Sequence, residues 1–101
     1  MKSFAEALTA DRRLVILRFL SEAPACRLNT AVLRTSLDAF GHSVSRDQVA
    51  TDAAWLAEQG LVTVEEVGPV RVATLTDRGL DVAQGRAVAP GVKRPGPRAG
   101  L

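Results

Sequence analysis

A helical pattern that runs directly into a hairpin pattern is the feature of this sequence that most restricts its fold. The segment SRDQVATDAAWLAEQG has an N-cap signal at Ser45, a capping-box glutamine at Gln48 and a glycine stop at Gly60. The segments LVTVEEV and VRVATL follow, alternate apolar with polar side chains as strands do, and are joined by Gly68-Pro69. The sequence therefore predicts a helix followed at once by a small β-hairpin.

Apolar periodicity predicts two helices before this unit and one after it. The first is predicted to begin at Thr9 and to end before Pro24, with a separate short helix over residues 4–8 packed beside it. The second, TAVLRTSLDAF, is capped by Asn29 or Thr30, and ACRL before it is a candidate short strand. A last short helix, DRGLDVAQG, follows the hairpin. This order predicts one mostly α domain.

The size and composition of the chain fit one small domain. It has 101 residues, of which 47% are hydrophobic and 24% charged, the profile of a soluble globular protein. No apolar run reaches the roughly 18–20 residues needed to span a bilayer, and the N-terminus lacks a signal-peptide pattern. We therefore expect a cytoplasmic location and no membrane partner.

Catalytic and metal-binding motifs are missing from the sequence. Cys26 and His42 are each the single residue of their type, and two ligands cannot make a metal site that needs three or four. Glu65 and Glu66 are neighbours on a predicted strand, so they point to opposite faces and cannot act as an acid/base pair. We therefore predict no enzymatic activity, no metal and no cofactor.

The basic charge of the chain is concentrated at its end. Residues 1–85 hold nine basic and eleven acidic side chains, a balance of −2, whereas residues 86–101 hold four basic side chains and no acid. Because the end segment is rich in proline and glycine, we predict one folded domain over 1–85 and a flexible basic tail over 86–101. Such a tail is suited to binding nucleic acid, to binding an acidic partner, or to keeping the chain soluble.

The helices and hairpin resemble the winged-helix superfamily, of the kind found in ArsR-like and MarR-like bacterial regulators. The segment VSRDQVATDAAWLAEQGLVTVEE is similar to a recognition helix with the first wing strand, and ATLTDRGLDVA is similar to the segment after the wing. The size, compact wing and basic tail also resemble small winged-helix proteins of Mu-like prophages. The implied fold is a winged helix-turn-helix, with three helices, a two-stranded wing and a C-terminal helix.

The resemblance implies double-stranded DNA as a partner and a role like that of a transcriptional regulator, because the third helix of the superfamily enters the major groove. Carried onto this chain, the implied contact positions are Ser45, Arg46, Asp47, Gln48, Thr51 and Asp52. Arg46 is suited to a phosphate or a guanine and Gln48 to an adenine. Further phosphate contacts are expected from Arg71 in the wing and from Lys93, Arg94 and Arg98 in the tail. Arg12, Arg13, Arg18 and Arg34 on the first two helices have two interpretations, as additional phosphate contacts or as ordinary solvated side chains.

Acidic side chains oppose this interpretation. Asp47 and Asp52 bring negative charge to the third helix, and Glu65 and Glu66 outnumber Arg71 on the wing. A carboxylate can only accept hydrogen bonds, so cytosine N4 is one base partner, but phosphates repel it generally. Asp47 also suits the positive end of the helix dipole. The alternative function is therefore a protein-interaction module, in phage assembly or packaging, without sequence-specific DNA reading.

Trp55, the single tryptophan, has two interpretations. Helical spacing places it with Gln48, Thr51, Asp52 and Gln59 on a predicted outward face. It either folds back over the wing strands as an edge of the core or anchors a protein interface, where tryptophan is enriched. The broad apolar surface of the first helix additionally leaves room for a homodimer.

Overall fold

The computed structural model describes residues 2–96, which form four α-helices and a three-stranded antiparallel sheet. The elements are α1 (Phe4–Glu22), β1 (Arg27–Asn29), α2 (Thr30–Ala39), α3 (Arg46–Glu58), β2 (Val62–Val67), β3 (Val70–Leu75) and α4 (Asp77–Ala83), with a 3₁₀ turn at Pro24–Cys26. The predicted order of helices and hairpin is confirmed, and the candidate strand before the second helix is β1.

Helix α1 begins five residues earlier than the sequence predicts. Ser3 and Glu6 form a capping box, in which the Ser3 hydroxyl accepts from the Glu6 backbone N–H and the Glu6 carboxylate accepts from that of Ser3. Because this box satisfies the first free N–H groups, the predicted short helix and the first helix are one continuous helix. The predicted start at Thr9 is wrong.

One contiguous core joins all the helices to the sheet. Its fully buried members are Ile16, Leu17, Leu20, Leu33, Leu37, Val49, Leu56 and Leu61. Burial of each such side chain contributes about 1.5–3 kcal/mol relative to its exposure to water, so this cluster is the main stabilising term of the fold. No helix within the described residues combines the length and apolarity that crossing a lipid bilayer requires.

The sheet has the order β1-β3-β2, and its hairpin forms the wing. Val67 pairs with Val70 across the two-residue turn, and Glu66 pairs with Arg71 one step before the tip. Side chains alternate along a strand, so Arg71 lies on the same face as buried Ala73, which packs toward the helices. The wing therefore directs Arg71 toward the side of the molecule that carries α2 and α3.

Residues 86–96 form a C-terminal strap that packs against α1. Ala89 and Val92 are only 3% and 7% exposed, and the Lys93 backbone N–H donates to the Ala10 carbonyl at 3.1 Å. The structure differs here from the predicted unpacked tail, because two small apolar side chains among the prolines and glycines are enough to enter the core. The remainder of the predicted tail, residues 97–101 with Arg98, lies outside the described residues.

Candidate nucleic-acid interface

The turn between α2 and α3 is attached to α1 by a buried histidine. Gly41 has a φ of +91°, which glycine adopts without strain, and the chain then buries His42. The His42 Nε2 lies 2.8 Å from a carboxylate oxygen of Asp11 on α1. Sequence reasoning missed this contact because a lone histidine beside a glycine is typical of an exposed loop. The contact sets the position from which α3 starts.

Helix α3 presents two polar faces with different surroundings. Its exposed side chains are Arg46, Asp47, Thr51, Ala54 and Glu58. Gln48, Asp52 and Trp55 instead lie on the side of α3 that contacts α1 and the strap. The predicted outward face mixed these two sets, since polar residues occur on both sides of the helix and the apolar stripe is narrow.

Asp52 is buried in an ion pair and adds no negative charge to the outward face. It is 1% exposed, and its carboxylate accepts from Arg12 of α1 at 2.5 Å (Nε) and 3.2 Å (Nη2). The Gln48 amide donates a third hydrogen bond to the same carboxylate, at 3.1 Å. The expectation that Asp52 faces DNA, and that Arg12 supplies a phosphate contact, is therefore wrong.

Three arginines from three elements line one groove of about 590 Å³ between α2, α3 and the wing. We call it the arginine groove, after Arg34 of α2, Arg46 of α3 and Arg71 of β3. Asp47 lies in the same groove, and the Arg34 Nε donates to the Val44 carbonyl at 3.2 Å. Thr30, Ala31, Thr35 and Ala50 complete its helical walls. Its shape and charge suit a polyanion.

The acids of the wing are each matched by an arginine. The Arg71 Nε lies 3.6 Å from a carboxylate oxygen of Glu66, and the Arg27 Nη2 lies 3.1 Å from one of Glu65. Both pairs are exposed, so each contributes little to stability and is readily exchanged for other partners. The wing is therefore close to neutral and not acidic, and a phosphate could replace Glu66 at Arg71.

Trp55 packs inside the chain, against α1 and the strap. The Arg13 guanidinium carbon lies 3.7 Å from the centre of the indole ring, a cation–π contact, and the Arg13 Nη1 donates to the Gly91 carbonyl at 3.0 Å. A Cβ at Gly91 would lie 2.9 Å from the ring. Trp55 is thus an edge of the core, but over the strap and not over the wing strands.

Of the predicted tail cations, Lys93 is paired within the chain and Arg94 is exposed to solvent. The Lys93 Nζ lies 3.4 Å from Asp11, whereas Arg94 is exposed. Burial raises the pKa of Asp11, but hydrogen bonds and charges from His42 and Lys93 outweigh burial and hold that pKa below its ordinary value of 3.8. Lys93 is consequently engaged within the chain, where it joins the strap to α1.

The structure brings together only part of the predicted contact set. Arg46 and Arg71 meet in the arginine groove, and Ser45 and Thr51 are exposed beside it. Gln48 is half-buried and turned toward Asp52. Sequence reasoning did not distinguish Arg34 from the other arginines of the first two helices. Helical spacing could have separated it, because Thr30, Ala31, Arg34 and Thr35 form one stripe of α2.

Comparison with known proteins assigns the chain to a phage family. It is 56% identical over 94 residues to the uncharacterized protein gp26 of Escherichia phage Mu, a match that covers 93% of this chain and 97% of that protein. The chain belongs to the family of phage Mu gp26. A second relative, an uncharacterized protein of Haemophilus influenzae, is 47% identical over 79 residues, covering 77% and 76% of the two chains. No family model matches the chain.

Solved structures with the same fold include a transcriptional regulator. A MarR family regulator from Streptomyces coelicolor, solved in complex with DNA, superposes with a TM-score of 0.63 at 25% identity over 72% of this chain, which spans less than half (44%) of that regulator. The hsRosR-S1 complex gives a TM-score of 0.60 at 25% identity, covering 78% and 69% of the two chains. These likenesses confirm the winged helix-turn-helix fold, and the Mu relative confirms the predicted phage association.

Proposed function

We propose that this protein binds duplex DNA in the arginine groove and has a role like that of a transcriptional regulator. The observation that carries the proposal is the meeting of Arg34, Arg46 and Arg71, from α2, α3 and the wing, beside the exposed face of α3. The DNA complex of a MarR family regulator with the same fold supports it. Burial of Asp52 supports it further, since one of the two opposing acids of α3 is neutralised by Arg12.

In the proposed complex, the N-terminal half of α3 enters the major groove, which is wide enough for a helix. Arg46 contacts a guanine edge or a phosphate, and the hydroxyls of Ser45 and Thr51 donate to phosphate oxygens. Arg34 and Arg71 neutralise phosphates on either side of the helix, with Arg71 exchanging Glu66 for a phosphate. Each element that forms the groove thus contributes one positive charge.

The other predicted contacts are assigned smaller parts. Gln48 donates one amide hydrogen to Asp52, so reading an adenine would use its second amide hydrogen and its carbonyl oxygen. To contact DNA, Lys93 would first have to break its ion pair with Asp11, whereas Arg94 is exposed and does not take part in that pair. Arg98 belongs to the part of the chain outside the described residues, and we propose for it only a general electrostatic attraction to DNA.

Fluorescence anisotropy with labelled duplexes at several salt concentrations tests the proposal. Arg34→Ala, Arg46→Ala and Arg71→Ala should each weaken binding and reduce the slope of log K against log salt by about 0.9 for each phosphate that is no longer neutralised. Arg46→Ala should weaken a selected site more than random duplex if it reads a base. Arg18→Ala is the matched control, because Arg18 is exposed on α1 and does not line the groove.

If Arg18→Ala weakens binding as much as the groove variants do, binding depends on total charge and the groove has no special role. If the full chain binds no duplex even at low salt, the proposed function is wrong.

A protein-interaction module is the second candidate function. Phe4 and Leu8 are 79% and 41% exposed, and they lie one turn apart on the same side of α1. Exposed apolar side chains in such a row favour a protein partner, which could be a second copy in a homodimer. Light scattering should give a dimeric mass that Phe4→Ser and Leu8→Ser together reduce to that of a monomer. A monomeric mass for the unaltered chain would contradict the homodimer.

A further inference from the structure

We infer that Asp47 determines the sequence preference of the arginine groove by accepting a hydrogen bond from N4 of a cytosine in the major groove. This inference rests on the proposed DNA binding and names a base and the residue that reads it.

Asp47 lies where a reading residue would have to be. It is exposed in the first turn of α3 and lines the groove together with Arg34, Arg46 and Arg71. In helix-turn-helix complexes, N-terminal residues of the recognition helix contact base edges. A short side chain at this position reaches a base only where the helix backbone comes close, which is the geometry of that first turn.

The carboxylate of Asp47 has no partner within residues 2–96. Asp47 makes no side-chain hydrogen bond or ion pair with any described residue, as is also true of the exposed acids Glu22, Asp38, Glu58 and Asp77. Among these described acids, Asp47 alone lines the arginine groove. It is unpaired there although three arginines line the same groove. Both acceptor oxygens are therefore accessible from the groove, in addition to the favourable interaction of the carboxylate with the positive end of the α3 dipole.

Base chemistry selects cytosine among the four bases. In the major groove only cytosine N4 and adenine N6 offer hydrogens to an acceptor, and adenine places its N7 acceptor directly beside N6. In an A·T pair, adenine N6 lies between two acceptors, its own N7 and the thymine O4, and both repel a carboxylate. In a C·G pair, cytosine N4 has an acceptor on one side only, the guanine O6. Guanine and thymine present acceptors to the groove and repel the carboxylate.

The arginines make a carboxylate tolerable at this position. Arg34, Arg46 and Arg71 would neutralise the phosphates that otherwise repel Asp47. At a position without cytosine, the carboxylate meets either no donor or the adenine N6 donor beside the N7 acceptor. Asp47 therefore weakens binding to most sequences, and the hydrogen bond from cytosine N4 offsets this repulsion only where a cytosine lies opposite it. Specificity then arises from a repulsive element.

The test is selection from a randomised duplex library with the full chain, followed by anisotropy on the selected duplex and on copies substituted at one base. The duplexes that the unaltered chain selects should share one invariant cytosine. Replacing that cytosine should weaken its binding about fivefold to tenfold. Asp47→Ala should lose this preference, and Asp47→Asn should shift it toward adenine, since an amide both donates and accepts. Glu58→Gln, an exposed acid in the last turn of α3, should leave it unchanged.

The inference is overturned if Asp47→Ala binds every duplex more tightly but keeps the same base preference, because Asp47 would then only repel phosphate. It is also overturned if the unaltered chain binds duplexes without any preferred cytosine, a result that leaves the proposed DNA binding standing. Failure of the unaltered chain to bind any duplex would remove the proposed function and the inference together.

Discussion

Asp52 of α3 and Arg12 of α1 form a buried ion pair between the two helices. Both are almost fully buried, and the pair joins α3 to the central helix α1. A buried ion pair adds little net stability, because desolvation of the two charges offsets their attraction. Loss of one partner is different, since it leaves an uncompensated charge in the core. The pair therefore orients α3 more than it stabilises the fold.

We predict that Arg12→Met lowers the free energy of unfolding by about 3–5 kcal/mol, because it leaves Asp52 buried without its cation. The double variant Arg12→Met, Asp52→Leu should recover most of that loss, since it removes both charges. Urea denaturation measures both values, and Arg18→Met on the exposed side of α1 is the control. A double variant as unstable as the single one would contradict the assignment.

Asp11 makes the stability of the fold dependent on pH. Its pKa is held below 3.8 in the folded chain by His42 and Lys93, although burial acts in the opposite direction. The contribution is therefore present above the unfolded pKa and is lost as pH falls through the lower folded value. We predict that the stability difference between the unaltered chain and Asp11→Asn is largest above roughly pH 5 and shrinks toward acid pH.

Denaturation curves measured across that pH range check this prediction, with Asp38→Asn, an exposed acid at the end of α2, as the control. A difference that grows as the solution becomes more acidic would contradict the sign.

Among the elements, the C-terminal strap has the least regular structure and yet belongs to the core. It packs against α1, places Gly91 on the Trp55 ring and forms an ion pair between Lys93 and Asp11. Because Asp11 also contacts His42 in the turn before α3, the strap and the helix-turn-helix are held by one carboxylate. A change in the strap is therefore expected to alter the position of α3 through Trp55 and Asp11.

We predict that Gly91→Ala lifts the strap and destabilises the fold by about 1–3 kcal/mol. Gly91 has a φ of +94°, and an added Cβ would lie 2.9 Å from Trp55. Thermal unfolding and the emission of Trp55, the single tryptophan, measure the effect, because water reaching the ring shifts its emission to longer wavelength. Gly96→Ala is the control, since within residues 2–96 its added Cβ meets no atom of a non-neighbouring residue within 4 Å. Identical results for the two variants would show that the strap does not need glycine at Gly91.

For the molecule as a whole, the distribution of charge matters more than its sum. Residues 1–85 carry nine basic and eleven acidic side chains, a balance of −2, which argues against a polyanion as ligand. The fold nevertheless collects Arg34, Arg46 and Arg71 in one groove and pairs or buries several of the acids. A local field at the groove can attract DNA although the domain carries a negative balance.

We predict that a chain shortened to residues 1–96 keeps the DNA-binding affinity and site preference of the full chain. The shortening removes Arg98 but leaves the groove and the strap, so the salt slope should fall by at most about one unit. Anisotropy titrations of the two chains on the same duplexes measure this. Loss of binding by the shorter chain would place the DNA contact in the last five residues and not in the groove.

The sequence by itself determined the order of the helices and the hairpin, the cap at Ser45, the turn at Gly68-Pro69 and the resemblance to winged-helix proteins. These features depend on side chains a few residues apart, so local patterns are enough to predict them. Arg46 and Arg71 could be named as contact candidates for the same reason, because motif positions transfer along the chain.

Only the tertiary structure decided which polar residues of α3 face inward and how the strap packs. Asp52 meets Arg12 across 40 positions of the chain, and Gly91 meets Arg13 across 78. Alternation and helical spacing contain no information about such distant partners, and a polar residue can be buried once its partner is buried with it. The arginine groove arises in the same way, because three elements that are separate in the sequence meet only when the core closes.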